Sequence, residues 1–163
     1  MNFKSFRGAV TSISDFMISS NDNEGCYKIM SVSDMQGGLV NFVIAPTTYF
    51  VEQEMVLVGD RITGYYDGDA PVPMIFPPQY RALIIVKNSN TRNVKVDYFD
   101  CDLVSSDGKL KLNISNKTKI ALINGQVFSQ SPANRNLIVI YGASTRSIPA
   151  QTTPIEIIIW CSI

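Results

Sequence analysis

A pattern of apolar, threonine and proline positions occurs twice along the chain, and it restricts the folds that the chain can adopt. The first matches are seventy residues apart, and after the additional residues in "VFSQSPANR" they are seventy-six residues apart. A repeated pattern of this kind predicts an internal duplication. The halves would be residues 1–88 and 92–163, joined by the polar stretch "KNSNTRN". The matched pairs are Gly38 and Gly108, Val40 and Leu110, Phe42 and Leu112, Ile44 and Ile114, Thr48 and Thr118, Phe50 and Ile120, Ile62 and Ile138, Tyr65 and Tyr141, Pro73 and Pro149, Pro78 and Pro154, and Ile84 and Trp160.

The segments within each half have the alternation of β-strands. "FRGAVTSI" and "CYKIMSV" alternate apolar and polar residues, and so does "LVNFVI". The stretches "NDNEG", "DMQGG", "SSDG" and "NG" are typical of hairpin turns. A helix of at most two turns is expected in "TTYFVEQEM", and the strand "IEIIIW" is apolar on both faces, so both should be covered. The sequence therefore predicts an all-β, mainly antiparallel fold with at most short helices.

The order of elements in the first half is three strands, a short connection, a fourth strand, a proline-rich loop and a fifth strand. This is the order of the oligonucleotide/oligosaccharide-binding (OB) fold, a five-stranded barrel. The segments "VNFVIAPTTYF", "VGDRITGYYD" and "PVPMIFPPQYRALIIV" resemble an uncharacterised family of small bacterial proteins of clostridial type. The resemblance covers the first half well and the second half loosely. It implies two internally repeated OB-like five-stranded barrels and carries no activity.

Four prolines lie in the connection between the fourth and fifth strands, in residues 71–78, called the proline loop below. Proline has no amide hydrogen, so Pro71, Pro73, Pro77 and Pro78 do not fit inside a central strand. One interpretation is a rigid strap that covers a barrel end with buried apolar side chains, including Phe76. The other is a preformed rim for a ligand or partner. We expect the strap.

Composition excludes several chemistries. The chain has no histidine, which removes histidine-dependent catalysis and the common zinc sites. Lys plus Arg and Asp plus Glu each number 14, so the net charge is zero and argues against a nucleic-acid ligand, although a local basic groove stays open. We therefore expect no enzyme activity, no cofactor and no metal site. "DGD" at residues 67–69 is expected to be a solvated turn, with a weak cation site as the alternative.

Three cysteines, Cys26, Cys101 and Cys161, are odd in number and widely spaced. We expect buried, reduced thiols in a soluble cytoplasmic protein, because no signal-peptide pattern or apolar span is present.

Two functions are consistent with these observations. The first is a non-catalytic interaction or scaffold module, which would contact a protein or an oligomeric ligand without a membrane. The second is an OB-type binder of single-stranded nucleic acid or oligosaccharide. Aromatic rings with nearby guanidinium groups are the expected contacts in both cases. The candidate ligand-binding residues are Tyr66, Phe76, Tyr80, Arg81, Tyr141 and Arg146.

Overall fold

The computed structural model describes residues 1–19 and 24–161, and their regular structure is almost entirely β. The prediction of an all-β chain is therefore confirmed. The chain divides into two compact units, Met1–Asn88 and Ser89–Ile163. The predicted turn in "NDNEG" falls mostly on residues 20–23, outside the described residues.

The strands of unit 1 are β1 (Phe3–Asp15), β2 (Lys28–Ser33), β3 (Leu39–Ile44), β4 (Tyr49–Phe50), β5 (Arg61–Asp67), β6 (Gln79–Arg81) and β7 (Ile84–Lys87). Those of unit 2 are β8 (Asn93–Phe99), β9 (Leu110–Leu112), β10 (Lys119–Leu122), β11 (Arg135–Tyr141), β12 (Ala150–Thr152) and β13 (Glu156–Trp160).

The sheets are mixed. Among the described strands, six of the ten pairings are antiparallel, and β3–β6, β4–β7, β9–β12 and β10–β13 pair in parallel. The helix of at most two turns expected in "TTYFVEQEM" is a single three-residue 3₁₀ turn, Val51–Gln53, preceded by the two-residue strand β4. The aromatic and β-branched residues before Glu52 favour an extended backbone, and a helix this short has no packing face to offset its nucleation cost.

One continuous segment pairs with strands on two sides of the unit 1 sheet. The strand order is β4-β7-β5-β1-β2-β3-β6, so β6 and β7 lie towards opposite ends of the order. Only Ala82 and Leu83 separate them in the chain. The Ala82 amide donates to the Val43 carbonyl at 3.0 Å, and the next amide, that of Leu83, donates to the Tyr65 carbonyl at 2.8 Å. The segment Gln79–Lys87 therefore joins the β3 side of the sheet to the β5 side.

The core of unit 1 is packed around Phe42, whose side chain is fully buried. Its ring occupies the space beside Gly64 in β5. A Cβ added at Gly64 would lie 2.5 Å from Phe42 Cζ, which is too close for any side chain. The glycine in "ITGYY" therefore makes room for the aromatic ring of β3.

Unit 2 repeats the pairing order of unit 1. The order β10-β13-β11-β8 corresponds to β4-β7-β5-β1, and the parallel pair β9–β12 corresponds to β3–β6. At the place of β2, the chain makes only isolated bridges, in which Ser105 pairs with Phe99 and Val104 pairs with Lys111. Because these bridges do not form a full strand, the pairs divide into a four-stranded and a two-stranded sheet.

The strand pairings give a different alignment of the two units, after the first seventy-residue offset, from the one that the sequence predicted. Tyr65 pairs with Ile84 in unit 1, and Ile140 pairs with Glu156 in unit 2. With the offset of seventy between β4 and β10, the parallel pairings Tyr49–Ile84 and Lys119–Glu156 give an offset of seventy-two between β7 and β13, and the antiparallel pairings then give seventy-five between β5 and β11. The predicted constant offset of seventy-six is therefore wrong, and the offset falls from seventy-five to seventy-two because the loop before β12 is shorter than the proline loop. The correct register aligns "IFPPQ" with "SIPAQ".

A threonine hydroxyl fixes the same turn in both units. The Thr48 hydroxyl donates to the Ala82 carbonyl at 2.8 Å and accepts from the Ala45 amide at 2.9 Å. In unit 2 the Thr118 hydroxyl donates to the Pro154 carbonyl at 2.8 Å and accepts from the amide three residues earlier at 3.3 Å. In unit 1 the hydroxyl links the turn after β3 to the segment that precedes β7. In unit 2 it links the turn after β9 to the segment that precedes β13.

We predict that Thr48→Val and Thr118→Val each lower the free energy of unfolding by about 1–3 kcal/mol, because each substitution leaves a partly buried amide and carbonyl without their partner. Thr47→Val is the matched control. The Thr47 side chain is exposed, so its removal should change stability by less than about 0.5 kcal/mol. Urea denaturation of the three variants measures the difference. Equal midpoints for Thr48→Val and Thr47→Val would contradict the structural role of this hydroxyl.

Candidate binding site

A cleft of about 520 Å³ opens in unit 1, next to the segment that joins its two sheet sides. Side chains of β3 and β6 line one part of it, and the residues that follow β1 and precede β2 line another. The start of the proline loop forms a third part. The volume of the whole cleft lies within the range of small-molecule and peptide sites. The lining residues of this aromatic cleft are Met1, Phe16, Ile18, Tyr27, Val43, Tyr66, Asp67, Ala70, Pro71, Val72, Pro73, Gln79, Tyr80, Arg81 and Leu83.

Two of the tyrosines that line the aromatic cleft are stacked on each other. The rings of Tyr66 and Tyr80 are 3.9 Å apart between centroids and nearly parallel, with 7° between their planes. Tyr66 also packs against Phe42, at 6.3 Å between centroids. Burial raises the pKa of Tyr66 to about 12, and the Tyr80 hydroxyl adds to the effect, so Tyr66 is protonated at neutral pH. Tyr66 therefore contacts one aromatic ring of β3 and one of β6.

One basic and one acidic side chain line the aromatic cleft. Among the described lining residues, Arg81 supplies the guanidinium and Asp67 supplies the carboxylate. The Arg81 guanidinium is exposed, and its Nη2 donates to the Thr47 hydroxyl at 3.4 Å. One cationic side chain in a lining that also holds a carboxylate gives little attraction for a phosphate backbone. The arrangement suits a ligand that is neutral or carries one carboxylate.

The proline loop projects apolar side chains into solvent. Phe76 is 80% exposed, Met74 is fully exposed, and Val72 and Ile75 are about half exposed. The expectation that this loop is a strap with a buried Phe76 is therefore wrong. Prolines on both sides restrict the backbone, and the apolar residues between them have no core position within reach of the short, stiff connection.

The predicted site residues fall into three groups. Tyr66, Tyr80 and Arg81 line the aromatic cleft together, whereas Phe76 lies in the exposed loop and does not line it. In unit 2, Tyr141 is half-buried against the core and Arg146 is exposed. The sequence did not single out Phe16, Tyr27 and Gln79, which also line the cleft. Only Gln79 had a detectable signal, since the correct register aligns it with Gln151.

The remaining reactive side chains are not grouped into a site. Among the described residues there is no group of three or more Cys, Asp or Glu side chains that could hold a metal ion. "DGD" forms a turn in which the Asp69 amide donates to the Asp67 carboxylate at 3.0 Å. All three cysteines are free and exposed, so the expectation of buried thiols is wrong.

Within the described part of the chain, no helix has the length and apolar character needed to cross a membrane. The chain matches no protein-family model, no curated protein and no solved structure.

We predict that Phe76→Ala leaves the free energy of unfolding within about 0.5 kcal/mol of the parent, because the ring is mostly in solvent. Phe42→Ala, the control for a buried ring, should cost about 3–5 kcal/mol. Phe42→Leu provides a milder version if the alanine variant does not fold. Chemical denaturation measures the free energy of unfolding of each variant. A loss of several kcal/mol in Phe76→Ala would contradict the exposed position of this ring and support the interpretation of the loop as a strap.

Proposed function

We propose that the protein is a non-catalytic interaction module built from two OB-like five-stranded barrels, one in each unit. In unit 1, β6 and β7 count as one interrupted strand that pairs with β3 on one side and with β5 on the other. The order β1-β2-β3-(β6/β7)-β5 then returns to β1, which pairs with β5. This is the circular order of an OB barrel. Unit 2 repeats this order in part, with isolated bridges at the place of β2, and the repeat supports an internal duplication.

A fold of this type supports many functions, so the activity has to be argued from the site. OB folds bind ligands at the second and third strands and at the loops beside them. The aromatic cleft lies at the corresponding place, since Val43 belongs to β3 and Tyr27 directly precedes β2. The proline loop corresponds to the loop between the fourth and fifth OB strands. It therefore acts as a rim rather than a strap.

The observation that carries the proposal is the row of exposed apolar side chains in the proline loop. Val72 lines the cleft and Met74, Ile75 and Phe76 continue from it into solvent. Contiguous exposed apolar surface beside a cleft is typical of protein-interaction sites. The balanced charge of Arg81 and Asp67 favours a partner without phosphates. We infer that the partner is a protein that places an extended apolar segment in the cleft, a mode used by other aromatic-lined grooves.

A second candidate, an OB-type binder of oligosaccharide or single-stranded nucleic acid, is favoured by one specific observation. The Tyr66–Tyr80 stack presents an aromatic face next to a guanidinium, and bases and sugar rings stack on such faces. Salt separates these ligands. A nucleic acid would bind with a steep salt dependence, whereas a sugar or an apolar peptide would not.

We expect random peptides displayed on phage to be enriched for apolar and proline-containing segments by the whole chain. An enriched peptide should lose about tenfold or more in affinity with Phe76→Ala and with Arg81→Ala, because Arg81 lines the cleft, Phe76 lies in the proline loop that continues from it, and both side chains are exposed. Tyr98→Ala, which removes an exposed tyrosine of unit 2, is the control and should keep the parent affinity. Calorimetry on the synthetic peptide measures the three values.

The same calorimetry is run with oligothymidylate at two salt concentrations. Absence of peptide enrichment would contradict the protein-partner proposal. Binding of oligothymidylate that weakens steeply with salt and is lost in Arg81→Ala would replace it with the nucleic-acid alternative.

A further inference from the structure

A second cleft lies in unit 2, at the position that corresponds to the aromatic cleft of unit 1. Residues 142–145 and 151–153 line it together with Asn113 and Ile155, and its volume is about 640 Å³. We call it the polar cleft. The strand pairing gives the equivalences, with an offset of seventy in β3 and β9 and of seventy-two from the proline loop onward. The equivalent lining pairs are Val43 and Asn113, Gln79 and Gln151, Tyr80 and Thr152, Arg81 and Thr153, and Leu83 and Ile155.

The two clefts share a place but differ in chemistry. Tyr80 and Arg81 in the aromatic cleft are replaced by Thr152 and Thr153 in the polar cleft, and apolar Val43 is replaced by Asn113. None of the described residues that line the polar cleft is ionisable. The ring that can stack on a base and the cation that can meet a phosphate are therefore both missing from it.

Hydrogen bonds already hold the polar groups of this cleft in place. The Asn113 Nδ2 donates to Gln151 Oε1 at 3.1 Å, which links the two side-chain amides. The Thr145 hydroxyl accepts a hydrogen bond from the backbone amide of Gln151 at 2.9 Å. It also shares a hydrogen bond with the Ser147 hydroxyl at 2.6 Å. The paired amides leave Asn113 Oδ1 as an acceptor and Gln151 Nε2 as a donor. The cleft thus offers a fixed acceptor and donor beside exposed hydroxyls.

We propose that the polar cleft is a binding site for a neutral polyhydroxylated ligand, an oligosaccharide. Sugar hydroxyls donate and accept at once, so they can satisfy an amide acceptor, an amide donor and the hydroxyl of exposed Thr153 together, whereas the buried Thr152 hydroxyl already donates to the Ala143 carbonyl at 2.7 Å. The exposed side chain of Ile155 offers an apolar surface for the C–H face of a sugar ring. An anionic ligand would lose its hydration without a compensating cation. This inference does not depend on the partner proposed for unit 1.

The test uses the whole ¹⁵N-labelled chain and a panel of neutral hexasaccharides built from glucose, N-acetylglucosamine, galactose, mannose or xylose. The side-chain amide signals of Asn113 and Gln151 report on the polar cleft, and that of Gln79 reports on the aromatic cleft. We expect at least one hexasaccharide to shift the Asn113 and Gln151 signals saturably. Asn113→Ala and Gln151→Ala should each weaken this binding about tenfold or more at unchanged melting temperature, since both side chains are exposed.

Gln126→Ala is the matched control, because Gln126 is an exposed amide outside both clefts. It should bind as the parent does. The inference is overturned if no hexasaccharide shifts the Asn113 and Gln151 signals, or if only the Gln79 signal moves. The last result would support the oligosaccharide alternative for unit 1 instead. Saturable shifts of the two amides by inorganic phosphate or oligothymidylate, without a response to any hexasaccharide, would also overturn it.

Discussion

Two consecutive amides, those of Ala82 and Leu83, donate hydrogen bonds to strands on opposite sides of unit 1. The first reaches Val43 in β3 and the second reaches Tyr65 in β5. The Ala82 carbonyl is held as well, because it accepts from the Thr48 hydroxyl. This short junction therefore links the β3 and β5 sides of the sheet a second time, in addition to their connection through β1 and β2. The aromatic cleft depends on the same junction, since Tyr80 and Arg81 directly precede it and are aimed by its pairing with β3.

The corresponding junction in unit 2 keeps one half of this arrangement. Pro154 replaces Ala82, so no amide hydrogen is present to donate, but its carbonyl still accepts from the Thr118 hydroxyl. The next amide, that of Ile155, still donates to the Ile140 carbonyl at 2.9 Å. The two units therefore share a framework of pairing while the side chains beside the junction differ. We relate the aromatic and the polar cleft to this difference: one framework places two unlike sets of side chains.

The sequence predicts elements better than it predicts exposure. Alternation located β1, β2 and β3, and the Thr48–Thr118 match marked positions that make equivalent hydrogen bonds. The later register is wrong because loop length, not strand pattern, sets it, and matching prolines in a loop do not fix pairing. The expected burial of Phe76 is wrong because apolar residues between prolines have no periodicity that assigns them to a buried or an exposed face. Phe16 and Tyr27 join the cleft only through the pairing of β1 with β2, which brings distant residues together. The stacking of Tyr66 on Tyr80 likewise depends on tertiary pairing.

Amide hydrogen exchange of the ¹⁵N-labelled chain tests the two-sided junction most directly. We expect the Ala82 and Leu83 amides to be both strongly protected, to a degree similar to the central amides of β1, because each is bonded to a different neighbouring strand. The Met74 amide, in the exposed proline loop, supplies the reference for rapid exchange. Protection of Leu83 together with exchange of Ala82 as fast as that of Met74 would mean that the segment pairs on one side only, and would contradict the two-sided junction.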